Sequence, residues 1–242
     1  MALRLLRKLG SLFSLAALGS YWRWGWRLLL VALLIDIGYL YGIWPDWERY
    51  RQGPLQQSSF MQAYRTEQAR RDDWPRLRWN PTPLAQIPRT MQRAVVVAED
   101  SRFWQHDGID WQAFREAMQH NFEQRRLVYG ASTISQQTVK NLFLSASRDP
   151  LRKWHEVWLT LGMEQNLPKR RILEHYLNIA EFGRGLYGVD AAARFYYGIP
   201  ASRLQGWQAI ELAASLPSPV ANNPQTRTRA FLRRVNRIRR YF

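Results

Sequence analysis

The chain has 242 residues, 35 basic against 19 acidic for a formal net charge of +16, and 46% of them are hydrophobic. Set beside an N-terminal segment of different character, that length leaves about 190 residues for one folded domain. The absence of cysteine excludes disulfide frameworks, thiolate zinc sites and cysteine nucleophiles, while the charge calls for an anionic partner: nucleic acid, lipid headgroups or a pyrophosphate.

Residues 28–44 read LLLVALLIDIGYLYGIW, interrupted by Asp36 and bordered by Trp22, Trp24, Trp26, Trp44 and Trp47. As a helix this run covers roughly 25 Å, slightly less than a hydrocarbon core of about 30 Å, and interfacial aromatics take up the difference. Arg4, Arg7, Lys8, Arg23 and Arg27 precede it without an acid, which places the N-terminus in the cytoplasm and the rest outside. A cleaved signal peptide and a buried core helix are the alternatives; no small-x-small site follows the run, which favours an anchor. Asp36 costs on the order of 2.5–3.5 kcal/mol at mid-membrane unless protonated or facing a partner helix. Residues 1–18 suit an amphipathic cytoplasmic helix.

The expected organisation is thus a cytoplasmic segment at 1–27, a transmembrane helix at 28–44, a periplasmic stalk and lead-in at 45–82, and a folded domain at 83–242. The stalk is assigned on its polar, Gln-, Arg- and Pro-rich composition. After it come eight helical patterns, and strand-like alternation is nearly absent, so the domain is mainly α-helical. In order they are MQRAVVVAEDSRFW behind a Thr90 cap, WQAFREAMQHNF after Asp110, ISQQTVKNLFL after Ser132 and Thr133, and LRKWHEVWLTLGMEQN after Asp149 with Pro150 in its first turn. Pro168 opens KRRILEHYLNIAEF, the glycines of GRGLYG break it, and VDAAARFYYG, GWQAIELAASL and RAFLRRVNRIRRYF follow. A loop-rich stretch occupies 123–131.

Five stretches carry reactive polar residues. Glu99 and Asp100 close the apolar run Val95 to Ala98; a carboxylate there is either a desolvated general base or a solvated helix end. Gln136 and Lys140 are four apart, as are Gln137 and Asn141, so two polar stripes share one side of a short helix, and Ser132 and Thr133 give it an anion-friendly start. The bland reading is a capped helix with a wet face. Arg148, Arg152 and Lys153 crowd around Glu156; Arg152 and Glu156 alone would be a surface ion pair worth about 0.3–0.5 kcal/mol. A carboxylate among cations also suits transfer chemistry at a pyrophosphate. Glu174, Asn178 and Glu181 precede glycines that admit close backbone approach, and much of that stretch is packing. Arg233, Arg234, Arg237, Arg239 and Arg240 flank apolar residues at the end of the chain, either a solvated amphipathic tail or a surface for phosphates. His106, His120, His155 and His175 have no partner at metal-ligand spacing and read as structural. The absence of Ser-x-x-Lys excludes a penicillin-type acyl-transfer site.

Taken in order, EDSRFWQHDGID, GASTISQQTVKNLF, RKWHE, KRRILEHYLNIAEFGRGLYG and the arginine-rich end resemble the motif series of the peptidoglycan glycosyltransferases, glycosyltransferase family 51. The likeness runs from about residue 83 to the end. With no transpeptidase region following it, the chain resembles the monofunctional branch of that family. The resemblance implies a lysozyme-like helical fold that makes 83–242 the glycosyltransferase domain, joining lipid II units with the growing strand on undecaprenyl pyrophosphate as donor. It implies that Glu99 takes the proton from the acceptor's 4-hydroxyl. Glu156, near the donor pyrophosphate, assists departure directly or through a divalent cation, magnesium or manganese. Lys140, Arg152 and Lys153 hold the pyrophosphates, with Gln136, Gln137 and Ser132 as donor-site contacts. Arg148 and Asn141 are grouped with these binding residues, and Arg234 matches a basic residue of the last motif more loosely. Glu181 stands where many members carry an aromatic residue and receives no role. No organic cofactor is expected. The implied partners are lipid II, the nascent strand, the bilayer, and other proteins of wall synthesis and division, not nucleic acid. A non-catalytic scaffold and a lysozyme-like hydrolase are the rival classes; neither needs both a base and a cation cluster.

Overall fold

The computed structural model describes residues 15–124, 130–147 and 149–242, which fall into two compact units divided after Pro45. Arg148, the centre of the 123–131 loop and most of the segment at 1–18 lie outside the described residues. The first unit is one helix, α1 (Leu15–Ile43), of 29 residues and about 44 Å at 1.5 Å per residue. Its most apolar stretch has a mean hydropathy of 1.8, and among the described residues it alone is long and apolar enough to cross a membrane. It starts well before residue 28. No proline interrupts 15–28, so Trp22, Trp24 and Trp26 belong to the helix itself, with Trp22 edge-on to Trp26 at 5.6 Å.

The second unit begins with α2 (Trp47–Gln52) and α3 (Ser59–Gln68), both inside the segment expected as a stalk. They are folded in by contacts that their composition hides. Trp47 is buried and meets Phe143 edge-on at 5.7 Å, and Met61 is fully buried. Arg171 donates to the carbonyls of Tyr50 and Gly53, and His175 donates through Nε2 to the Tyr50 carbonyl at 2.8 Å. Burial lowers the His175 pKa to about 4, so the ring is neutral and structural, as its sequence context indicates.

The eight expected helices all form: α4 (Arg89–Glu99), α5 (Trp111–Gln124), α6 (Ile134–Phe143), α7 (Pro150–Asn166), α8 (Lys169–Ile179), α9 (Val189–Tyr197), α10 (Gly206–Ser215) and α11 (Arg229–Arg239). Capping explains most of the starts: Asp110 accepts from Ala113 N–H, Asp149 from Arg152 N–H and Thr228 from Phe231 N–H. For α4 the expected Thr90 cap is incorrect. Pro88, with its fixed φ, precedes the first residue, and Thr90 lies within the first turn.

Every residue of α10 from Gln208 to Ser215 is buried, which makes it the central helix. Against it packs α4, burying Met91, Ala94, Val95 and Val96, with α11 beside both. A second layer is α6 against α7 and α8. Between them lies a small sheet, β1 (Arg78–Trp79), β2 (Glu181–Gly183) and β3 (Leu186–Tyr187), with β3 central, parallel to β1 and antiparallel to β2. Strands this short leave no alternation in sequence. Their turn needs glycine: Gly185 has φ +68°, and a Cβ there would fall 2.4 Å from the Tyr64 hydroxyl.

Asn178 ties the lead-in to α8. Fully buried, it accepts from Thr82 N–H at 2.7 Å and donates to the Thr82 carbonyl at 2.9 Å, while Glu174 accepts from Leu84 N–H at 2.7 Å. Both side chains therefore serve packing. Replacing Asn178 with Ala strands two buried backbone groups and should cost about 3 kcal/mol, a fall of about 6–12 °C in Tm for a domain of this size. Thermal unfolding of the full chain in detergent measures this; a fall under about 2 °C would show that the clamp is dispensable.

Candidate active site

The hydrophobic run of α4 delivers Glu99 to the last helical position, where its side chain is only 10% exposed. Arg234 of α11 donates to Oε1 at 2.5 Å and Gln137 of α6 to Oε2 at 2.9 Å. The Gln137 amide is oriented in turn by the Tyr176 hydroxyl, which donates to its oxygen at 3.2 Å. Burial pushes the Glu99 carboxyl above its ordinary value of 4.5, against the pull of Arg234, Gln137 and Lys140. Glu99 is thus a basic carboxylate with fixed orientation, not a solvated helix end.

On α6, Gln137, Lys140 and Asn141 face a cavity of about 140 Å³. Lys140 sits with its ammonium 5.9 Å from the centre of the Phe60 ring. Burial lowers its pKa, the fields of Arg152 and Lys153 lower it further, and those of Glu156 and Glu99 oppose the change. The ammonium is therefore within electrostatic reach of both glutamates. The other expected stripe divides. Gln136 is buried, and its side-chain oxygen accepts from Thr133 N–H at 3.1 Å while the Thr133 hydroxyl accepts from Gln136 N–H. This capping box engages the Gln136 oxygen in holding the start of α6, a structural contact beside the substrate contact expected of this residue.

Glu156 on α7 is 2% exposed. Arg152 donates to its Oε2 at 2.7 Å and Lys153 to its Oε1. This is an ion triad around a buried carboxylate rather than a surface pair; Lys153 reaches it from a partly exposed position, 44% of its side chain facing solvent. Ser132, exposed at the start of α6, lines a larger cleft of about 330 Å³ together with Glu99, Arg102, Asp110 and Thr133. Glu99 on this cleft and its partner Gln137 on the smaller cavity place the carboxylate where the two spaces adjoin. Arg234 contacts Glu99 and the Ala98 carbonyl at 3.3 Å, and its Nε is buried without a hydrogen bond. Arg148 is outside the described residues.

Sequence reasoning missed Phe60, Tyr176 and Tyr187, which line the smaller cavity with the unassigned Glu181. Phe60 lies in the segment read as a stalk, and Tyr176 and Tyr187 have the ordinary spacing of core aromatics. His106 has an unexpected cluster around it with Asp100 and Asp110. Each carboxylate there already has partners: Asp100 holds His106 at 3.0 Å and accepts from Ile134 N–H at 2.9 Å, and Asp110 holds Arg102 at 2.8 Å and caps α5. The cluster braces the loop between α4 and α5.

The sequence profile of the transglycosylase family matches residues 67–241. Similar proteins include the biosynthetic peptidoglycan transglycosylase of Aeromonas hydrophila, 47% identical over 196 residues, or 80% of this chain and 78% of that one. Those of Nitrosospira multiformis and Laribacter hongkongensis are 42% and 38% identical over 200 and 217 residues, or 81% and 89% of this chain and 86% and 95% of theirs.

Titration of the side-chain carboxyls by carbon-13 NMR should place the Glu99 midpoint above 4.5 and that of Asp110, held by Arg102 and a backbone N–H, below 3.8. Arg234→Met should raise the Glu99 midpoint further, because a cation that favours the ionised form is lost. A lower midpoint in that variant would contradict the burial argument.

Proposed function

The chain belongs to the transglycosylase family, the peptidoglycan glycosyltransferases of cell-wall synthesis, and we propose that it polymerises lipid II into β-1,4-linked glycan strands with release of undecaprenyl pyrophosphate. The observation that carries this reading is the charge cluster around Lys140, a half-buried ammonium on the cavity wall that feels the fields of Glu99 and Glu156, while Arg152 and Lys153 hold Glu156. Ionised Glu99 takes the proton of the acceptor's 4-hydroxyl. The oxygen attacks the anomeric carbon of the donor sugar from the face opposite the pyrophosphate, the carbon–oxygen bond to the phosphate breaks, and the configuration inverts. Lys140, Arg152 and Lys153 receive the charge of the leaving group. Glu156 positions two of these cations, since both of its oxygens are engaged by them. Ser132, Gln137, Asn141 and Arg234 complete the proposed binding residues.

The surroundings of Glu156 do not fit a divalent cation. One carboxylate whose oxygens are both held by cations, with Lys140 beside it, presents a field that repels a second positive ion, so no step is assigned to magnesium or manganese. A hydrolase reading has no use for this cation cluster.

In this reading α1 anchors the chain once in the inner membrane with its N-terminus in the cytoplasm and the catalytic unit in the periplasm. An apolar face supports contact with the bilayer as well: α5 buries none of its residues, and Trp111, Phe114, Met118 and Phe122 are exposed along one side. Other proteins of wall synthesis and division are proposed as partners.

Glu99→Gln should abolish polymer formation from purified lipid II, and polymer made at the wild-type rate would remove the mechanism. Its folded-state pKa lies above the unfolded one, so stability is lost as pH rises from 4.5 through the folded midpoint. At neutral pH the variant should therefore unfold at the same temperature as the wild type or a higher one. The rate of the unmodified enzyme should fall as pH drops through that raised midpoint, placing the acid limb above 4.5. Lys140→Ala should cost turnover about 10²–10³-fold, the loss of one charge stabiliser in a dry site; unchanged turnover would put Lys140 outside the reaction.

A further inference from the structure

The cavity beside Lys140 has a second polar end that the proposed reaction leaves without a function. Its lining runs from Lys140, Gln137 and Asn141 on α6 to Glu181 at the start of β2, with Tyr176 and Tyr187 between. The two charged residues come from different elements, Lys140 from α6 and Glu181 from β2, and border the same space. Its volume of about 140 Å³ is close to that of the cavity of roughly 150 Å³ known to admit a benzene ring. That is room for one ring, with the open side of the pocket left for whatever the ring carries.

Glu181 is held in place yet poorly satisfied. The bulge between Glu181 and Gly183 and the tight turn at Gly185 fix the strand, and Tyr196 donates to the Phe182 carbonyl at 2.8 Å. The carboxyl itself accepts one long contact, 3.3 Å from Gly185 N–H, and among the described residues no cation pairs with it. The Arg184 guanidinium lies over the Trp74 ring at 5.0 Å and reaches Glu181 through its field alone. Burial pushes the Glu181 carboxyl up, and its field raises Tyr64, Tyr187 and Tyr196. A group so placed, in a half-buried tyrosine cage with unused hydrogen-bonding capacity, is costly to the free enzyme and is completed by a polar ligand.

Resting on the glycosyltransferase reading, we propose that Glu181 binds the donor sugar, forming hydrogen bonds with its hydroxyl or acetamido groups while Lys140 holds the phosphate attached to that ring. The pocket then recognises a sugar phosphate by two chemistries at once: a cation for the phosphate, and an uncompensated carboxyl with two amides for the neutral ring. Gln137 has a foot in both, since the amide that borders the cavity also orients Glu99.

The test uses the full chain in detergent with lipid II as substrate and sugar-free undecaprenyl pyrophosphate as competitor. Glu181→Ala should raise KM for lipid II about tenfold, the effect of one lost hydrogen bond to a charged or strongly polar group, with a smaller change in kcat. Inhibition by undecaprenyl pyrophosphate should be equally strong in Glu181→Ala and wild type, whereas Lys140→Ala should weaken both ligands. Glu181→Gln, which keeps an acceptor and adds a donor, should recover most of the affinity lost in the Ala variant. An unchanged KM in Glu181→Ala, or equal weakening toward the sugar-free competitor, overturns the assignment. Wild-type protein that makes no polymer from lipid II would instead overturn the reaction on which it rests.

Discussion

Charges of one sign do not gather beside one another unless something offsets them, and α6, α7 and α11 bring four half-buried cations around two carboxylates that are themselves nearly closed off from solvent. Lys140, Arg152, Lys153 and Arg234 face two carboxylates, Glu99 and Glu156. Desolvation already lowers the Lys140 pKa, and Arg152 and Lys153 lower it further. The site therefore carries an excess of positive charge that the protein does not neutralise. Folding tolerates this because Glu156 is shared between two cations and Glu99 offsets Arg234, and the remaining excess suits the anionic substrate proposed above. The same field that would receive a dianion disfavours a dication, so anion binding and the poor fit for a metal at Glu156 share one cause.

The scaffold serves that charge arrangement. The apolar α4 ends where its last carboxylate must be, because α10 accepts its hydrophobic side along its full length. The start of α6 is pinned by the Thr133–Gln136 box, which fixes the rotation of the helix and with it the direction of Gln137, Lys140 and Asn141. One glutamine is used for the frame so that its neighbour can be used for the site. Asn178 and Glu174 do comparable work for the lead-in strand, and through it for β3 and the hairpin that carries Glu181.

What was legible in the sequence follows from how local the determining physics is. Eight helix positions could be read because capping residues and hydrophobic periodicity act within a few residues. Glu99 and Lys140 could be singled out because an acid after four apolar residues and a lysine in a polar stripe are locally anomalous. α2 and α3 could not be read: α2 is ordered by Trp47 on Phe143 and by Arg171 and His175 on the Tyr50 carbonyl, and α3 by the Ser59 hydroxyl donating to the carbonyls of Asn141 and Leu144, all partners more than eighty residues away in sequence. Gln136 and Gln137 are indistinguishable by spacing, and only the box geometry separates the cap from the residue that borders the cavity and donates to Glu99. Arg234 was a weak match in a tail of arginines. Its contact with Glu99 spans 135 positions, so no local pattern marks it out from Arg233 or Arg237.

The two glutamates sit in unlike surroundings, and the two functions proposed for them follow from that difference. Glu99 has a guanidinium on one oxygen and a neutral amide on the other. The amide can be exchanged for an incoming hydroxyl with little electrostatic loss, so one oxygen is available to a proton. Each oxygen of Glu156 is engaged by a full cation, and protonating either would break an ion pair in a buried setting. The proposed roles cannot be swapped by exchanging the side chains' positions along their helices. They would swap only if the amide of Gln137 and the ammonium of Lys153 changed places, and the difference between base and brace therefore lies in those two neighbours rather than in the carboxylates themselves.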